Sequence, residues 1–367
     1  MNRILGLFLA SIATAASFGQ TGPKPISSPE MRRRLDQNVP QWLKDNDVPS
    51  AAVGIIENGK VAWTAVYGEQ SPGVPATERT LYNVASLTKP ISAEVILRLA
   101  SRGTISLDEP LSAYWIDPDV VGNPWNKLLT PRLCLSHQTG FPNWRYQTNN
   151  ILKFQWEPGT RFGYSGEGYD YVARFAEKKT GASFEELAQK YVFNPIGMKD
   201  TAYTPRPGFK GRLAVPFDPQ DEDRPTARTT WSAADLLRTT IGDYTRFVVS
   251  VMHNKGLTRR IASERLVITR NLVTQDQKNK MCPLIRPGAT DCELTAGLGL
   301  GLQAINMNGE TIVDHGGTDK GVYTLAFFIP ESGLGVVVFT NGENGIKVIR
   351  NIVETVYPNP AFIATIN

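Results

Sequence analysis

The sequence predicts an α+β fold in which N-terminal and C-terminal strands share one antiparallel sheet, flanked by helices, with a mainly helical lobe inserted between them. Residues 51–56 and 61–68 have the apolar and β-branched composition of a strand hairpin. Residues from about 86 to 290 show helical periodicity and long loops instead. Four further strand candidates follow this lobe, at residues 299–305, 311–314, 323–329 and 335–340.

Helices are predicted before, between and after these strands along the sequence. The first begins near Ser28 and Pro29 and runs to Trp42, and the last covers residues 346–356. A third helix begins at Ser86, with Pro90 in its first turn, where the missing N–H costs no hydrogen bond. Its apolar residues recur at helical spacing and are expected to bury one face: Leu87, Ile91, Val95 and Leu99.

Residues 1–19 have the pattern of a secretory signal peptide. Arg3 precedes an apolar stretch over residues 4–16, and small residues follow it. A membrane anchor is the competing interpretation, but the apolar stretch is shorter than a bilayer requires. We therefore expect an exported protein, periplasmic or secreted, whose residues 20–367 form a single domain without a membrane span.

Composition narrows the class of partner. The net charge is only +4, and the basic residues are dispersed apart from Arg32, Arg33 and Arg34, a run too short to indicate nucleic-acid binding. The histidines and cysteines lack the spacing of metal ligands, so neither a metal nor another cofactor is predicted. A small-molecule substrate is the expected partner.

Export makes disulfides possible. Cys282 and Cys292 bracket a nine-residue loop and are predicted to be bonded, a link that contributes about 2–3 kcal/mol in the chain-entropy treatment. Cys134 lies among leucines and is predicted to be a buried packing residue.

The first candidate for chemistry is Ser86-Leu87-Thr88-Lys89. A serine and a lysine three residues apart on a helix share a face, so the amine can reach the hydroxyl proton. The nearby helix N-terminus also favours a developing negative charge. Taken alone, the pattern is weak, because Ser86 would serve equally well as a helix N-cap.

Several further motifs follow in order, and with them the chain resembles the β-lactamase-related serine hydrolases. That family includes class C β-lactamases, DD-peptidases, D-aminopeptidases and esterases. The motifs that carry the resemblance are the hairpin before Ser86, Ser86–Lys89, and the segments 103–110, 133–142, 157–166, 194–198 and 315–317 with Thr340-Asn341. They span nearly the whole mature chain, and the resemblance implies the fold described above.

The resemblance also implies roles for individual residues. Tyr164, in the loop before a helix, is expected to lie over the nucleophile Ser86 and to assist Lys89 in proton transfer. His315-Gly316-Gly317-Thr318 occupies the third family motif, where β-lactamases and DD-peptidases usually have Lys-Thr-Gly on a strand. His315, Gly317 and Thr318 are therefore expected to bind substrate, and the N–H groups of Thr318 and Ser86 to form an oxyanion hole.

Two features separate this chain from the usual pattern. Gly166 replaces an asparagine that the family associates with the substrate's amide side chain, and His315 replaces a lysine that suits a substrate carboxylate. The first change disfavours lactam and peptide cleavage and leaves ester cleavage comparatively unaffected. A histidine in the second position also occurs in esterases and D-amino-acid peptidases of the family. A β-lactamase, a D-amino-acid-specific peptidase and a non-catalytic binding domain on the same scaffold remain alternatives.

Three other segments receive structural interpretations. Lys179-Thr180-Gly181 spells the third family motif but ends a helix, with Gly181 as the C-cap, and is therefore set aside. His137 is expected to complement a helix end or to bond a loop carbonyl, and His253 is also expected to be structural. Residues 205–228 lack periodicity and are expected to form a pocket rim.

Overall fold

The structure is a computed structural model that describes residues 27–218 and 231–366. The predicted signal peptide, residues 1–19, lies outside these ranges, as do residues 219–228 of the predicted rim.

One antiparallel sheet of eight strands forms the centre of the described part of the chain. Its order is β3-β2-β1-β10-β9-β8-β7-β6, so the first strand pairs directly with the last. The predicted joining of N-terminal and C-terminal strands is confirmed. The strands are β1 Ser50–Glu57, β2 Lys60–Ser71, β3 Val74–Pro75, β6 Leu294–Leu298, β7 Gln303–Met307, β8 Glu310–Asp319, β9 Val322–Ile329 and β10 Leu334–Thr340, with β4 Tyr82–Asn83 and β5 Arg238–Thr239 paired separately.

Helices occur before, within and after this set of strands. The predicted first and last long helices are present, the first extending to Asp45. The α-helices are α1 Ser28–Asp45, α2 Thr88–Ser101, α3 Pro131–Leu135, α4 Gly166–Thr180, α5 Phe184–Ala188, α6 Asn194–Ile196, α7 Ile241–Met252, α8 Arg259–Arg265, α9 Gln275–Ile285, α10 Gly345–Val356 and α11 Pro360–Ile363.

The two faces of the sheet bury different partners. Alternate residues of β1 face opposite sides: Val53 packs with α1 and α10, whereas Ala52 packs with the helical region. Thr245 of α7 lies against Gly54 and occupies the space that a side chain there would need. The helix α7 therefore packs on the sheet, although it belongs to the segment predicted as an inserted lobe.

The β1–β2 connection shows why the N-terminal hairpin was readable from sequence. Glu57 pairs with Lys60, which leaves a two-residue turn of Asn58 and Gly59, both with positive φ angles of 51° and 69°. Such turns match the right-handed twist of antiparallel strands and favour Asn-Gly.

The C-terminal strands differ from the prediction in three places. No strand is predicted at Leu294–Leu298, where β6 pairs with β7 at the edge of the sheet. Residues 299–302 form a turn between β6 and β7 rather than part of a strand, because Gly301 has a φ of 93° and the amides of Leu300 and Gly301 bond Arg265 and Leu135. The strand predicted at 311–314 is longer, since β8 continues through Asp319 by pairing with β9.

Helix α2 is more deeply placed than an amphipathic pattern indicates. The four residues predicted to be buried are buried, and so is every residue of the helix from Thr88 to Ala100. Because α2 follows Ser86, the nucleophile candidate is held at the end of a central helix.

The cysteine predictions are confirmed. Cys282 and Cys292 form a disulfide with Cα atoms 5.4 Å apart, and Cys134 is a free, buried thiol. Across residues 27–218 and 231–366, no helix combines the length and apolar character that crossing a bilayer requires.

Candidate active site

Ser86 lies in a single 3₁₀ turn, Ala85–Leu87, that leads into α2. Ala85 has a φ of 47°, a left-handed conformation that costs energy for a residue with a Cβ. The turn is held by hydrogen bonds from neighbouring elements: the Tyr244 hydroxyl donates to the carbonyl of Leu87 at 2.8 Å. Thr324 of β9 likewise donates to the carbonyl of Val84 at 2.9 Å. The fold thus presents Ser86 on a constrained turn.

Lys89 is the immediate partner of Ser86. Its Nζ lies 3.0 Å from Ser86 Oγ and also donates to the carbonyl of Ala234 at 3.0 Å. The side chain is fully buried, and its amine lies 4.8 Å from the ring centre of Tyr164. The predicted one-turn spacing therefore places the amine within hydrogen-bonding distance of the hydroxyl.

The turn that carries Ala234 depends on Asp170 of α4, which sequence reasoning missed. Asp170 accepts hydrogen bonds from the amide of Ala233 at 2.7 Å and from the Ser232 hydroxyl at 3.0 Å. Burial raises the pKa of Asp170 to about 7. The carboxyl group of Asp170 thus holds Ala233 in place, and the carbonyl of the next residue, Ala234, accepts the hydrogen bond from Lys89.

Tyr164 lies in the loop before α4, with its ring stacked on that of His137. Their ring centres are 4.3 Å apart with an interplanar angle of 25°, and the ring centre of His315 is 6.4 Å from that of Tyr164. Tyr164 and Ser86 are thus both close to the amine of Lys89, the first at 4.8 Å from its ring centre and the second at 3.0 Å from its Oγ.

His137 corrects one expectation. Its Nδ1 accepts the amide of Ser165 at 2.9 Å, and its buried Nε2 has no hydrogen-bond partner in the described part of the chain, so the ring bonds no loop carbonyl. Burial, with the charges of Lys89 and His315, lowers the pKa of His137 well below its ordinary value. A neutral imidazole offers no charge to a helix dipole; its place is beside Tyr164, which sequence position alone does not indicate.

One side of the site, which we term the strand wall, consists of residues 315–318 of β8. Gly317 faces the nucleophile turn so closely that an added Cβ would lie 2.6 Å from the carbonyl oxygen of Val84 and 3.0 Å from the nitrogen of Ser86. Gly316 and Thr318 are exposed, and Thr318 pairs with Tyr323 across the β8–β9 hairpin. The strand therefore runs directly past Ser86.

His315 is buried at the inner end of the strand wall, with its Nδ1 2.6 Å from the carbonyl oxygen of Gly316. Burial, reinforced by the charge of Lys89, lowers the pKa of His315 to about 4. The imidazole is therefore uncharged at neutral pH, with Nδ1 donating to the carbonyl and Nε2 left as an acceptor.

The opposite side, which we term the loop wall, consists of residues 137–166. It contains His137, Tyr164 and Trp144, whose ring centre is 5.8 Å from Lys89 Nζ. Trp144 was not identified from sequence, because nothing in its spacing connects it to Ser86. The two walls face each other across the Ser86–Lys89 pair.

The remaining histidine and the repeated motif lie elsewhere. His253 ends α7 and its Nε2 is 2.7 Å from the carbonyl oxygen of Gly59, which links the helix to the β1–β2 turn. Lys179 ends α4, where its amine pairs with Glu109, and Gly181 has the left-handed φ of 72° that a C-cap requires.

Comparisons with known proteins identify the family of the chain. The sequence model of the Beta-lactamase family matches residues 35–352. The chain is 25% identical to the D-alanyl-D-alanine-carboxypeptidase/endopeptidase AmpH of Escherichia coli K12, over 93% of this chain and 94% of that protein. It is also 25% identical to an E. coli K12 protein named Beta-lactamase, over 46% of this chain and 47% of that protein.

Solved structures show the same fold. The D-alanine carboxypeptidase AmpC from Burkholderia cenocepacia superimposes with a TM-score of 0.69 at 20% identity, covering 90% of this chain and 99% of that one. A class C β-lactamase mutant gives a TM-score of 0.71 at 18% identity, covering 90% of this chain and 97% of that one. With a family match over most of its length and this fold, the chain belongs to the β-lactamase family of serine hydrolases.

Proposed function

We propose that this protein is an esterase that cleaves small acyl esters through a covalent intermediate on Ser86. The observation that carries the proposal is the hydrogen bond of 3.0 Å between Ser86 Oγ and the fully buried amine of Lys89. An amine in contact with a hydroxyl is one arrangement that activates a serine without a histidine.

The reaction follows from the residues around this pair. Ser86 Oγ attacks the ester carbonyl carbon while its proton is relayed through Lys89 and Tyr164 to the oxygen of the leaving alcohol. The N–H groups of Ser86 and Thr318 bind the oxyanion of the tetrahedral intermediate. After the C–O bond to the alcohol breaks, water attacks the carbonyl carbon of the acyl-enzyme. Its proton passes through the same two residues to Ser86 Oγ as the bond between Oγ and the acyl carbon breaks, which releases the acid and restores Ser86.

Two observations favour an ester over a peptide or lactam. At position 166 there is no side chain to bind a substrate amide, because the residue is glycine. His315, with a pKa near 4, offers no positive charge at neutral pH to bind a substrate carboxylate. Substrates ending in a carboxylate therefore lack an obvious partner in the strand wall.

A second candidate is cleavage of a D-alanine-terminated peptide. It is supported by the similarity to AmpH of E. coli over 93% of this chain. Against it stand the same two residues, Gly166 and His315.

The test is hydrolysis of p-nitrophenyl acetate by the wild-type protein and by Ser86→Ala. We expect the substitution to lower kcat by at least about a thousandfold, because it removes the nucleophile. Ser263→Ala, which changes an exposed serine of α8, is the matched control and is expected to keep full activity. Ester turnover that survives in Ser86→Ala, with an unchanged circular dichroism spectrum, would contradict the mechanism.

A D-alanyl-D-alanine peptide and a penicillin assayed beside the ester distinguish the two candidates. A higher kcat/KM for the ester, lost in Ser86→Ala, supports the esterase. A higher Ser86-dependent value for the peptide would establish the second candidate instead.

A further inference from the structure

The indole of Trp144 lies directly over the backbone of Gly166. A Cβ added to Gly166 would lie 2.7 and 2.8 Å from the Cζ3 and Cζ2 atoms of the ring. Such distances are well inside van der Waals contact, so any side chain at position 166 requires the indole to move. The glycine and the tryptophan therefore form a matched pair, in which one residue leaves the space that the other fills.

The backbone on both sides of Trp144 is attached to the first turn of α4. The carbonyl of Asn143 accepts the amides of Gly166 at 3.0 Å and Glu167 at 3.1 Å. The Glu167 carboxylate accepts the amide of Arg145 at 2.8 Å and pairs with its guanidinium at 2.8 Å. Arg145 also pairs with buried Asp117 at 3.0 Å. With its neighbours fixed on both sides, Trp144 cannot leave this position by a small loop movement.

The ring is also close to the reacting groups. Its centre is 5.8 Å from Lys89 Nζ, and that amine is 3.0 Å from Ser86 Oγ. Trp144 is only partly buried, so the residue is not sealed within the core. A substituent on an acyl carbon attached to Ser86 is within reach of the indole.

We infer that Trp144 determines acyl-group specificity by providing an apolar wall that selects alkyl or aryl acyl groups. The inference rests on the proposed function, because an acyl group exists only if Ser86 is acylated. Each methylene buried against the indole is expected to improve binding about fourfold. An amide substituent placed there loses hydrogen bonds to water and gains none from carbon.

The inference is tested with boronic acids, which bind independently of ester turnover. The serine oxygen adds to boron, and the resulting tetrahedral adduct resembles the intermediate. We expect wild-type affinity, measured by calorimetry, to rise about fourfold per methylene from methylboronic to butylboronic acid. In Trp144→Ala the rise is expected to fall below about twofold per methylene. Trp63→Ala, which changes a partly buried tryptophan of β2, is the matched control and is expected to keep the wild-type trend.

Gly166→Ala provides a second variant, in which the indole is retained but displaced. It is expected to weaken the chain-length trend as Trp144→Ala does, and its use guards against misfolding of the first variant. A wild-type protein that binds every boronic acid equally, or binds none, overturns the inference, as does a trend that persists in both variants. Boronic acids that follow the expected trend while no ester is hydrolysed would overturn the proposed esterase function and leave the role of Trp144 intact.

Discussion

The two walls of the site are held in place by different forces. The strand wall is held by backbone pairing, since His315, Gly316 and Gly317 lie opposite Ala326, Leu325 and Thr324 of β9. The loop wall has no such ladder. Single backbone bonds cross it, such as the amide of Gly163 to the carbonyl of His137 at 2.9 Å. Side chains add the rest of its support, chiefly the His137 ring that accepts the amide of Ser165 and the Arg145–Glu167 ion pair.

This difference decides which substitutions each wall tolerates. A backbone ladder is largely independent of side-chain identity, so the strand wall is sensitive mainly to added volume where it approaches Ser86. The loop wall loses its shape when a particular hydrogen-bonding group is removed. Substitutions that separate volume from hydrogen bonding therefore test the comparison.

The largest expected effect is at Gly317. A Cβ there would overlap the Thr324 hydroxyl and lie 2.6 Å from the carbonyl oxygen of Val84. Gly317→Ala is therefore expected to push the nucleophile turn away from the strand, lowering kcat/KM about a hundredfold. Overpacking of this kind also costs about 1–3 kcal/mol of stability, measurable by denaturant unfolding.

Gly316→Ala is the matched control for this prediction. The nearest atom to an added Cβ at Gly316 is the carbonyl oxygen of Thr324 at 3.8 Å, an ordinary contact. Activity and stability close to wild type are expected. Equal losses in the two variants would show that the strand wall responds to its backbone conformation rather than to volume.

The next effect concerns the charge state of the strand wall. His315 has a folded-state pKa of about 4, below its ordinary value of 6.5. Between these pH values the unfolded chain binds a proton that the folded chain does not, so this residue makes stability fall as pH decreases from 6.5 to 4. The expected loss is about 3 kcal/mol.

The measurement compares the free energy of unfolding of wild type and His315→Gln across this pH range. Because both proteins retain His137 and the buried carboxyl groups, their difference isolates His315. We expect the difference to be constant above pH 7 and to change by about 3 kcal/mol at lower pH. Parallel curves throughout would mean that His315 is not a buried neutral imidazole.

The sequence predicted the strand side of the molecule better than the loop side. Strand alternation and the His315-Gly316-Gly317 motif located β8 to β10 because both are local patterns. For the strand predicted at 299–305, the sequence did contain a signal for the true end, the dipeptide Asn308-Gly309, which favours a two-residue hairpin turn. In the structure both residues have positive φ, at 50° and 87°, and β7 ends just before them, at Met307.

The missed parts of the site have no comparable local signal. Trp144 lies over Gly166 only because the intervening loop returns to α4, a path set by the Arg145 and Glu167 side chains. The carbonyl of Ala234 contacts Lys89 through its backbone, which carries no sequence signature. Long-range contacts of this kind depend on loop conformation and require a structure.

The smallest expected effect lies in the loop wall, at His137. His137→Phe keeps an aromatic ring beside Tyr164 but removes the nitrogen that accepts the amide of Ser165 at 2.9 Å. Leaving that buried N–H unpaired is expected to cost about 2 kcal/mol of stability. Because Ser165 adjoins Tyr164, kcat is expected to fall about tenfold with little change in KM.

His137→Asn is the control for this prediction. Asparagine tolerates the left-handed φ of 55° and supplies an amide oxygen as acceptor, so a greater stability than that of the Phe variant is expected. If the Phe variant matches wild type in both kcat and unfolding free energy, stacking rather than hydrogen bonding positions the loop wall.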